Sequence, residues 1–331
     1  MKIAVVGCGA VGSYYGAKLW AAGHETHFLL RSDYDVVRRN GVRIRSYQGD
    51  FTAHPYCARE PGEIGPSELV LIALKTTAND QFARLLPPLV GPQTVLMTLQ
   101  NGLGNPERLA GLFPAEQVMG GHCFVCLNRV EPGVVVHTDH GQIAIGEYIG
   151  GPRPRTHQIA DVFRRAGVQC DVVENLGRAH WEKLLWNIPF NGLGVAGAAG
   201  PDALDNPELA TDPMRPLGPC PTTDKLIGDE KWFGIVRELM AEVTAVANAL
   251  GFNIPDTFAD ELITKTRTMG AYKASTLIDF ERGKPLELES MFIEPLRQAR
   301  AAGVHTPRLA ALCEVLCALD KRRQIQQVPS A

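Results

Sequence analysis

Directly after the apolar run Lys2-Ile3-Ala4-Val5-Val6 the chain reads Gly7-Cys8-Gly9-Ala10-Val11-Gly12, and a helix-like stretch follows over residues 10–22. Gly-x-Gly-x-x-Gly alone is a weak pattern, but at a strand-to-helix junction it constrains the fold strongly. The first glycine permits a tight turn, the second lets a pyrophosphate approach the backbone, and the third lets helix and strand pack closely. The free N–H groups and the positive dipole end of the helix suit the phosphates. Gly7, Cys8, Gly9, Ala10, Val11 and Gly12 are therefore expected to cradle a dinucleotide. A glycine turn without a ligand is the bland alternative, and the strand–helix setting speaks against it.

The same half of the chain alternates short apolar runs, at residues 3–6, 25–30, 69–74 and 94–99, with helical stretches at 10–22 and 77–89. That alternation belongs to a parallel sheet with crossover helices, because parallel strands need a connection long enough to return to the starting edge. An NAD site closes its second strand, about 20 residues on, with an acid for the ribose hydroxyls. Here Glu25-Thr26-His27-Phe28-Leu29-Leu30-Arg31-Ser32 ends in Arg31, and Glu25 comes too early to replace the acid. A guanidinium at that point would pair with a 2′-phosphate, so NADPH is the expected cofactor. The competing reading of Arg31 is a solvated surface charge.

Beyond about residue 175 the β-rich runs stop and helical periodicity takes over, at 178–195, 230–250, 258–269, 289–302 and 308–319. The fold class predicted is α/β, with an N-terminal Rossmann-type doubly wound parallel sheet over residues 1–174. An all-helical C-terminal domain for substrate and catalysis follows over 175–331. The proline- and glycine-rich stretch 197–221 has little periodicity and reads as a long loop, disordered or peripheral rather than a lid.

In the helix predicted over 178–195, Lys183, Asn187 and Asn191 recur at i, i+4 and i+8. At 100° per residue they share an arc of about 80°, with His180 inside it. Leu184, Leu185 and Ile188 point away. A stripe of lysine and asparagines amid apolar faces is costly to bury without partners, so it is expected to line a polar pocket; a solvated face is the alternative.

The chain resembles the ketopantoate reductase (2-dehydropantoate 2-reductase) family over essentially its whole length. The resemblance rests on Gly7 to Gly12, Leu74-Lys75, Gln100-Asn101-Gly102, Trp181-Glu182-Lys183 through Asn191, Ser275 to Gly283, and Glu287. It implies NADPH-dependent reduction of 2-dehydropantoate to pantoate, a step towards pantothenate. It also implies Lys183 as general acid and Glu287 as the acid that holds substrate and lysine. Asn101, Asn187, Asn191, Lys75 and Ser275 are implied near cofactor or substrate. The chemistry is coherent without the family: hydride delivery to a 2-oxo carbon builds charge on its oxygen, which a nearby ammonium stabilises and protonates. Glu289, two residues along, competes with Glu287 for the carboxylate role. The alternatives are a related reductase of another branched 2-oxo acid and an NADP-binding sensor without turnover.

Composition narrows the partners. Among 331 residues, 33 Lys and Arg face 36 Asp and Glu for a net charge of −3. Neither a nucleic-acid footprint nor a membrane surface is expected from that balance, which leaves small-molecule chemistry; the resemblance implies a 2-oxo acid as that small molecule, and a homodimer is compatible with the sequence and not required by it. The eight cysteines are scattered rather than framed, as suits a reduced, cytoplasmic setting. No leader is expected, because the early glycines interrupt the opening apolar run. Cys123-Phe124-Val125-Cys126, with His122 beside it and His137 and His140 downstream, has zinc-like spacing, yet an apolar strand with buried thiols explains it better and no metal is expected.

Overall fold

The structure, a computed structural model, describes residues 1–327. By its internal contacts the chain divides into two compact units, Met1–Ala179 and His180–Ala331.

The first unit begins with β1 (Lys2–Val6), α1 (Ala10–Ala21), β2 (Glu25–Leu29) and α2 (Tyr34–Asn40), then β3 (Val42–Ser46), β4 (Phe51–Ala53), β5 (Tyr56–Ala58) and β6 (Leu69–Ile72). After α3 (Phe82–Leu85) come β7 (Val95–Thr98), α4 (Asn105–Ala110), β8 (Val118–Glu131), β9 (Val134–Glu147), α5 (Pro154–Arg165) and β10 (Cys170–Val172). Strands β5, β2, β1, β6, β7 and β8 lie side by side in that order, every neighbouring pair parallel. This is the doubly wound order, with the strand-order reversal beside β1. Strand β1 feeds both faces of the sheet. Ile3 and Val5 pack with Tyr14, Tyr15 and Leu19 of α1, while Ala4 and Val6 join Val70, Ile72, Phe82 and Leu109. Burial on both faces explains the unbroken apolar runs by which β1, β6 and β7 were predicted.

The sheet extends further than the apolar runs predict. Strand β9 returns antiparallel to β8, and β3 and β10 pair with it in parallel, with β4 antiparallel on β3. Register shifts after Phe124, Cys126 and Arg129 reset the alternation of side chains, which hides this hairpin from a period-two reading. The helix predicted over 77–89 is also different. It is a 3-10 segment at Thr76–Gln81, the single turn α3, and a second 3-10 turn at Pro87–Leu89. Ala78 departs from helical angles, and Pro87 and Pro88 have no N–H to extend the ladder.

Helix α6 (Leu176–Ala196) leads into the second unit, which continues with α7 (Glu208–Thr211), α8 (Thr223–Gly228), α9 (Glu230–Ala249), α10 (Thr257–Arg267), α11 (Ser275–Glu281), α12 (Glu294–Ala301) and α13 (Pro307–Gln327). Two refinements apply here. The helix predicted from residue 289 opens as a π turn, Glu289–Ile293, before α12. The stretch 197–221, expected to be a loop, holds 3-10 turns at Gly197–Ala199 and Pro201–Leu204 as well as α7. Pro201 opens the second 3-10 turn and Pro207 caps α7, short turns that a search for long-range periodicity misses.

Candidate active site

The glycine turn is built from three different constraints. Gly7 has φ +99°, and a Cβ on it would lie 2.3 Å from the Leu74 nitrogen and 2.4 Å from the Ala73 carbonyl carbon. A Cβ on Gly12 would lie 2.3 Å from the Gly7 oxygen. Gly9, by contrast, has nothing within 4 Å of that position, so its surface is open to a ligand. Gly9 caps α1, whose first turn carries no acidic residue to compete with phosphate. Ser13 N–H donates to the Gly9 carbonyl (3.1 Å) and Ser13 Oγ to the Cys8 carbonyl (3.0 Å), fixing the turn on the helix. Burial pushes the Cys8 thiol pKa well up, with Cys57 and the Asp33 carboxylate adding to it, so Cys8 offers this turn its backbone and not a nucleophile. Open at Gly9 and closed at Gly7 and Gly12, the cradle fits a dinucleotide pyrophosphate.

At the end of β2, the Leu30 N–H donates to the Ala58 carbonyl (2.9 Å), and Arg31 follows, exposed. Asp33 comes next but one and turns inward. Arg129 Nη1 donates to both of its oxygens (2.6 and 2.5 Å), the Gly133 N–H to Oδ2 (3.1 Å), and Ser32 Oγ to Oδ1 (2.9 Å). The acid closest after Arg31 is therefore neutralised and buried, and Arg31 stands on a loop tied down at both ends. Arg59 stacks its guanidinium on the Tyr34 ring, 4.1 Å from the centroid, while pairing with Asp35 (2.8 Å).

The turn after β6 meets the glycine turn directly, through Leu74, which places Lys75 next to it in sequence. Lys75 caps the 3-10 segment, its carbonyl accepting from the Ala78 N–H (2.9 Å). Asn101 stands in the corresponding turn after the neighbouring strand β7, before α4.

In the second unit α6 carries Lys183, half-buried, and Asn187 and Asn191, which are 5% and 3% exposed. This stripe is not a solvated face. Asn191 Nδ2 donates to Asn187 Oδ1 (3.2 Å), while its own Oδ1 accepts from Ser275 Oγ (3.2 Å) and the Thr276 N–H (3.0 Å). The carboxamide thus ties the lysine helix to the start of α11, and Thr276 Oγ1 reaches on to Met291 Sδ in the π turn (3.8 Å). Ser275 keeps an exposed position at that helix start. Glu287 is buried just before the π turn, whereas Glu289 is exposed and paired with Arg297 (2.6 Å). A π turn beside a buried carboxylate is a frequent accompaniment of a functional site. Thr276 and Met291 escaped sequence reasoning, since no local spacing links them to Asn191.

Cys123 and Cys126 lie on a strand, β8, as expected, but their thiols are half-buried rather than buried, because this part of the strand is only partly covered, and the exposed Phe124 ring lies tilted against His140 (centroids 4.3 Å apart). Among the described residues no group of His, Cys, Asp and Glu is placed to hold a metal ion, and no helix is long and apolar enough to cross a membrane.

Comparison with known proteins bears on the whole chain. Residues 3–150 match the family model described as Ketopantoate reductase PanE/ApbA, and residues 175–320 match its C-terminal counterpart. The 2-dehydropantoate 2-reductase of Nostoc sp. is 38% identical over 99% of this chain and 98% of its own. The crystal structure of 2-dehydropantoate 2-reductase from Geobacter metallireducens is 43% identical, with a TM-score of 0.86 over 96% of this chain and 99% of that one. That from Methylococcus capsulatus is 31% identical, with a TM-score of 0.85 over 98% of each. With both halves matched and full-length relatives well above the identity that fold alone would give, the chain belongs to the ketopantoate reductase PanE/ApbA family.

Proposed function

We propose that the protein reduces 2-dehydropantoate to pantoate with NADPH as hydride donor. The observation that carries this reading is the α6 stripe, in which half-buried Lys183 precedes buried Asn187 and Asn191, with Asn191 fastened to Ser275 and Thr276. A protein that only bound nucleotide would have no use for a lysine so framed. Residues 1–174 hold the nucleotide and residues 175–331 supply the substrate-binding and catalytic side chains.

The nucleotide, when bound, supplies the hydride that reduces the 2-oxo carbon. Gly7 to Gly12 receive the pyrophosphate on open backbone and the N-terminus of α1. Arg31 takes the 2′-phosphate, and Lys75 and Asn101 reach the cofactor from the turns after β6 and β7. Lys183 Nζ donates a proton to the substrate oxygen as charge grows on it, a contribution of about 10²–10⁴-fold for a placed proton donor. Asn187 and Ser275 offer donors to the substrate, Asn191 holds Ser275 in place, and Glu287 accepts from a substrate hydroxyl or steadies the lysine. All eight cysteines are free, which suits a cytoplasmic setting.

Loss of NADPH absorbance with a panel of branched and unbranched 2-oxo acids tests the substrate, with 2-dehydropantoate expected to give the highest kcat/KM. Lys183→Ala is expected to keep NADPH binding and lose about 10²–10⁴-fold in kcat, since it removes an interaction formed mainly in the transition state. Near-normal turnover in that variant would sink the assignment. Arg31→Ala is expected to weaken NADPH by about 10–100-fold and NADH hardly at all, as a lost charged hydrogen bond is worth about 1.5–3 kcal/mol. Equal weakening of both nucleotides means that Arg31 does not read the phosphate.

A further inference from the structure

The turns that carry Lys75 and Asn101 are joined by buried carboxamides that no step above uses. Gln100, Asn79 and Asn105 are 5%, 8% and 1% exposed. Thr98 Oγ1 donates to Gln100 Oε1 (2.9 Å), and Gln100 Nε2 donates both to the Leu74 carbonyl (2.9 Å) and to Asn79 Oδ1 (2.7 Å). Asn79 Nδ2 donates to Asn105 Oδ1 (2.8 Å), and Asn105 Nδ2 to the Asn101 carbonyl (3.0 Å). The two ends settle which way every amide points. Backbone carbonyls only accept, so Gln100 must present nitrogen to Leu74 and Asn105 must present nitrogen to Asn101. Asn105 Oδ1 then faces Asn79, whose nitrogen must donate there, leaving Asn79 Oδ1 for Gln100.

We infer that Gln100, Asn79 and Asn105 are positioning residues for the reaction: their directed chain of hydrogen bonds fixes the backbone at Leu74 and Asn101, and with it the placement of Lys75 and Asn101. The inference rests on the proposed roles of those two side chains. A core that needed only volume would be filled more simply by apolar residues, because every buried amide here has to be satisfied. What the amides supply instead is a fixed distance between two turns on neighbouring strands. The Leu74 end also abuts the nucleotide turn, since Gly7 has no room for a Cβ against the Leu74 nitrogen. A displacement of Leu74 would therefore reach the pyrophosphate cradle as well as Lys75.

Asn79→Asp tests the direction of the chain in the full-length protein. The carboxylate still accepts from Gln100, but it sets an acceptor against Asn105 Oδ1; protonated, it regains the donor. Burial and that opposed oxygen raise its pKa. At pH 8.5 the variant is expected to lose about 10²-fold in kcat/KM for 2-dehydropantoate, the scale of a misplaced site, with weaker NADPH binding measured by fluorescence quenching. Its activity relative to wild type is expected to recover about tenfold by pH 5.5 as the carboxyl takes up its proton. Asn79→Leu is expected to stay low at both pH values. In combination with Lys75→Ala, its loss in NADPH affinity is expected to be less than additive, because part of it acts through Lys75. If both Asn79 variants lower only the unfolding temperature, with wild-type kcat/KM and NADPH affinity while folded and no pH-dependent recovery, the amides are plain core and the positioning role is wrong. Unchanged constants in Lys75→Ala and Asn101→Ala overturn the functional reading of those side chains, and the positioning with it. Full effects there beside silent Asn79 variants overturn the positioning alone.

Discussion

Glu287 and Glu289 stand two residues apart in Leu286-Glu287-Leu288-Glu289, yet they occupy opposite surroundings. Glu287 is 7% exposed, while the Glu289 side chain is 61% exposed and held by Arg297. A buried carboxylate is stable only where something partners it, and under the proposed mechanism that partner is the lysine or a substrate hydroxyl. Glu287→Gln is therefore expected to lower kcat/KM for the 2-oxo acid by about 10²-fold, the lower end for a group that acts with a proton donor. Glu289→Gln is expected to leave turnover unchanged and stability within about 0.5 kcal/mol, as for an exposed pair. Steady-state kinetics on the two variants decides, and the reverse ranking moves the role to Glu289. The sequence narrowed the carboxylate to this pair and no further, because a π turn starting at Glu289 breaks the 3.6-residue phase by which a helical face is read. The Lys183, Asn187 and Asn191 stripe was legible for the opposite reason: it lies in one long helix, where spacing and face coincide. Its fastening to Thr276 was not, since the partner arrives from 85 residues away.

At the scale of elements, the loop after β2 depends on a distant strand. Arg129 of β8 and the Gly133 N–H both close on Asp33, so the short span holding Arg31 and Ser32 is anchored by the hairpin beyond it. Burial alone would raise the Asp33 pKa, but the hydrogen bonds from Arg129, Gly133 and Ser32 hold it below the usual aspartate value. A carboxyl with a depressed folded-state pKa contributes stability above its unfolded value, near 4, and that contribution is lost as the pH falls through the folded one. Urea unfolding should accordingly show Asp33→Asn less stable than wild type at pH 7, with the gap closing as the pH falls below about 4. A gap that is constant with pH means the carboxylate charge is not what matters there. Arg129→Met is expected to cost about 1–3 kcal/mol at pH 7, less than a fully buried pair because the arginine side chain is 37% exposed. Strands β1, β2, β6 and β7 were readable as apolar runs, since the parallel sheet covers both their faces. Of β8 only the short piece around Cys123 to Cys126 was readable, and β9 was not, because bulges and polar residues such as Arg129 and His137 interrupt their alternation, and the Asp33 lock was hidden with them.

On the scale of the chain as a whole, the stretch 197–221 shows what a reading of composition leaves out. Its prolines and glycines suggested a disordered or peripheral excursion; it is folded rather than disordered, and it is fastened to α9 and α13. Arg308 at the start of α13 reaches the Leu204 carbonyl (3.2 Å) and Asp205 (2.6 Å), and Lys231 of α9 pairs with Asp202 (2.5 Å). Further along α13, Arg322 donates to the Ala210 (3.1 Å) and Arg215 (2.8 Å) carbonyls. The two ends of the stretch abut, for a Cβ on Gly197 would lie 2.2 Å from Pro221 Cδ, so the excursion leaves and returns at one point. None of these partners could be read from sequence, because Arg308 and Arg322 lie about a hundred residues from what they hold. The fastenings differ in worth. Lys231 and Asp202 are half or more exposed, so Asp202→Ala is expected to change stability by less than about 1 kcal/mol. Arg322 gives charged hydrogen bonds to carbonyls in a half-buried setting, and Arg322→Met is expected to cost about 1–3 kcal/mol. The abutting ends also permit residues 198–220 to be replaced by a short Gly-Ser link. That replacement is expected to lower the unfolding temperature, through the lost support of α13, while leaving the ranking of 2-oxo acids by kcat/KM unchanged. If instead the substrate range broadens at temperatures where the protein remains folded, the stretch is a lid over the substrate and its ties to α9 and α13 are what hold the lid in place.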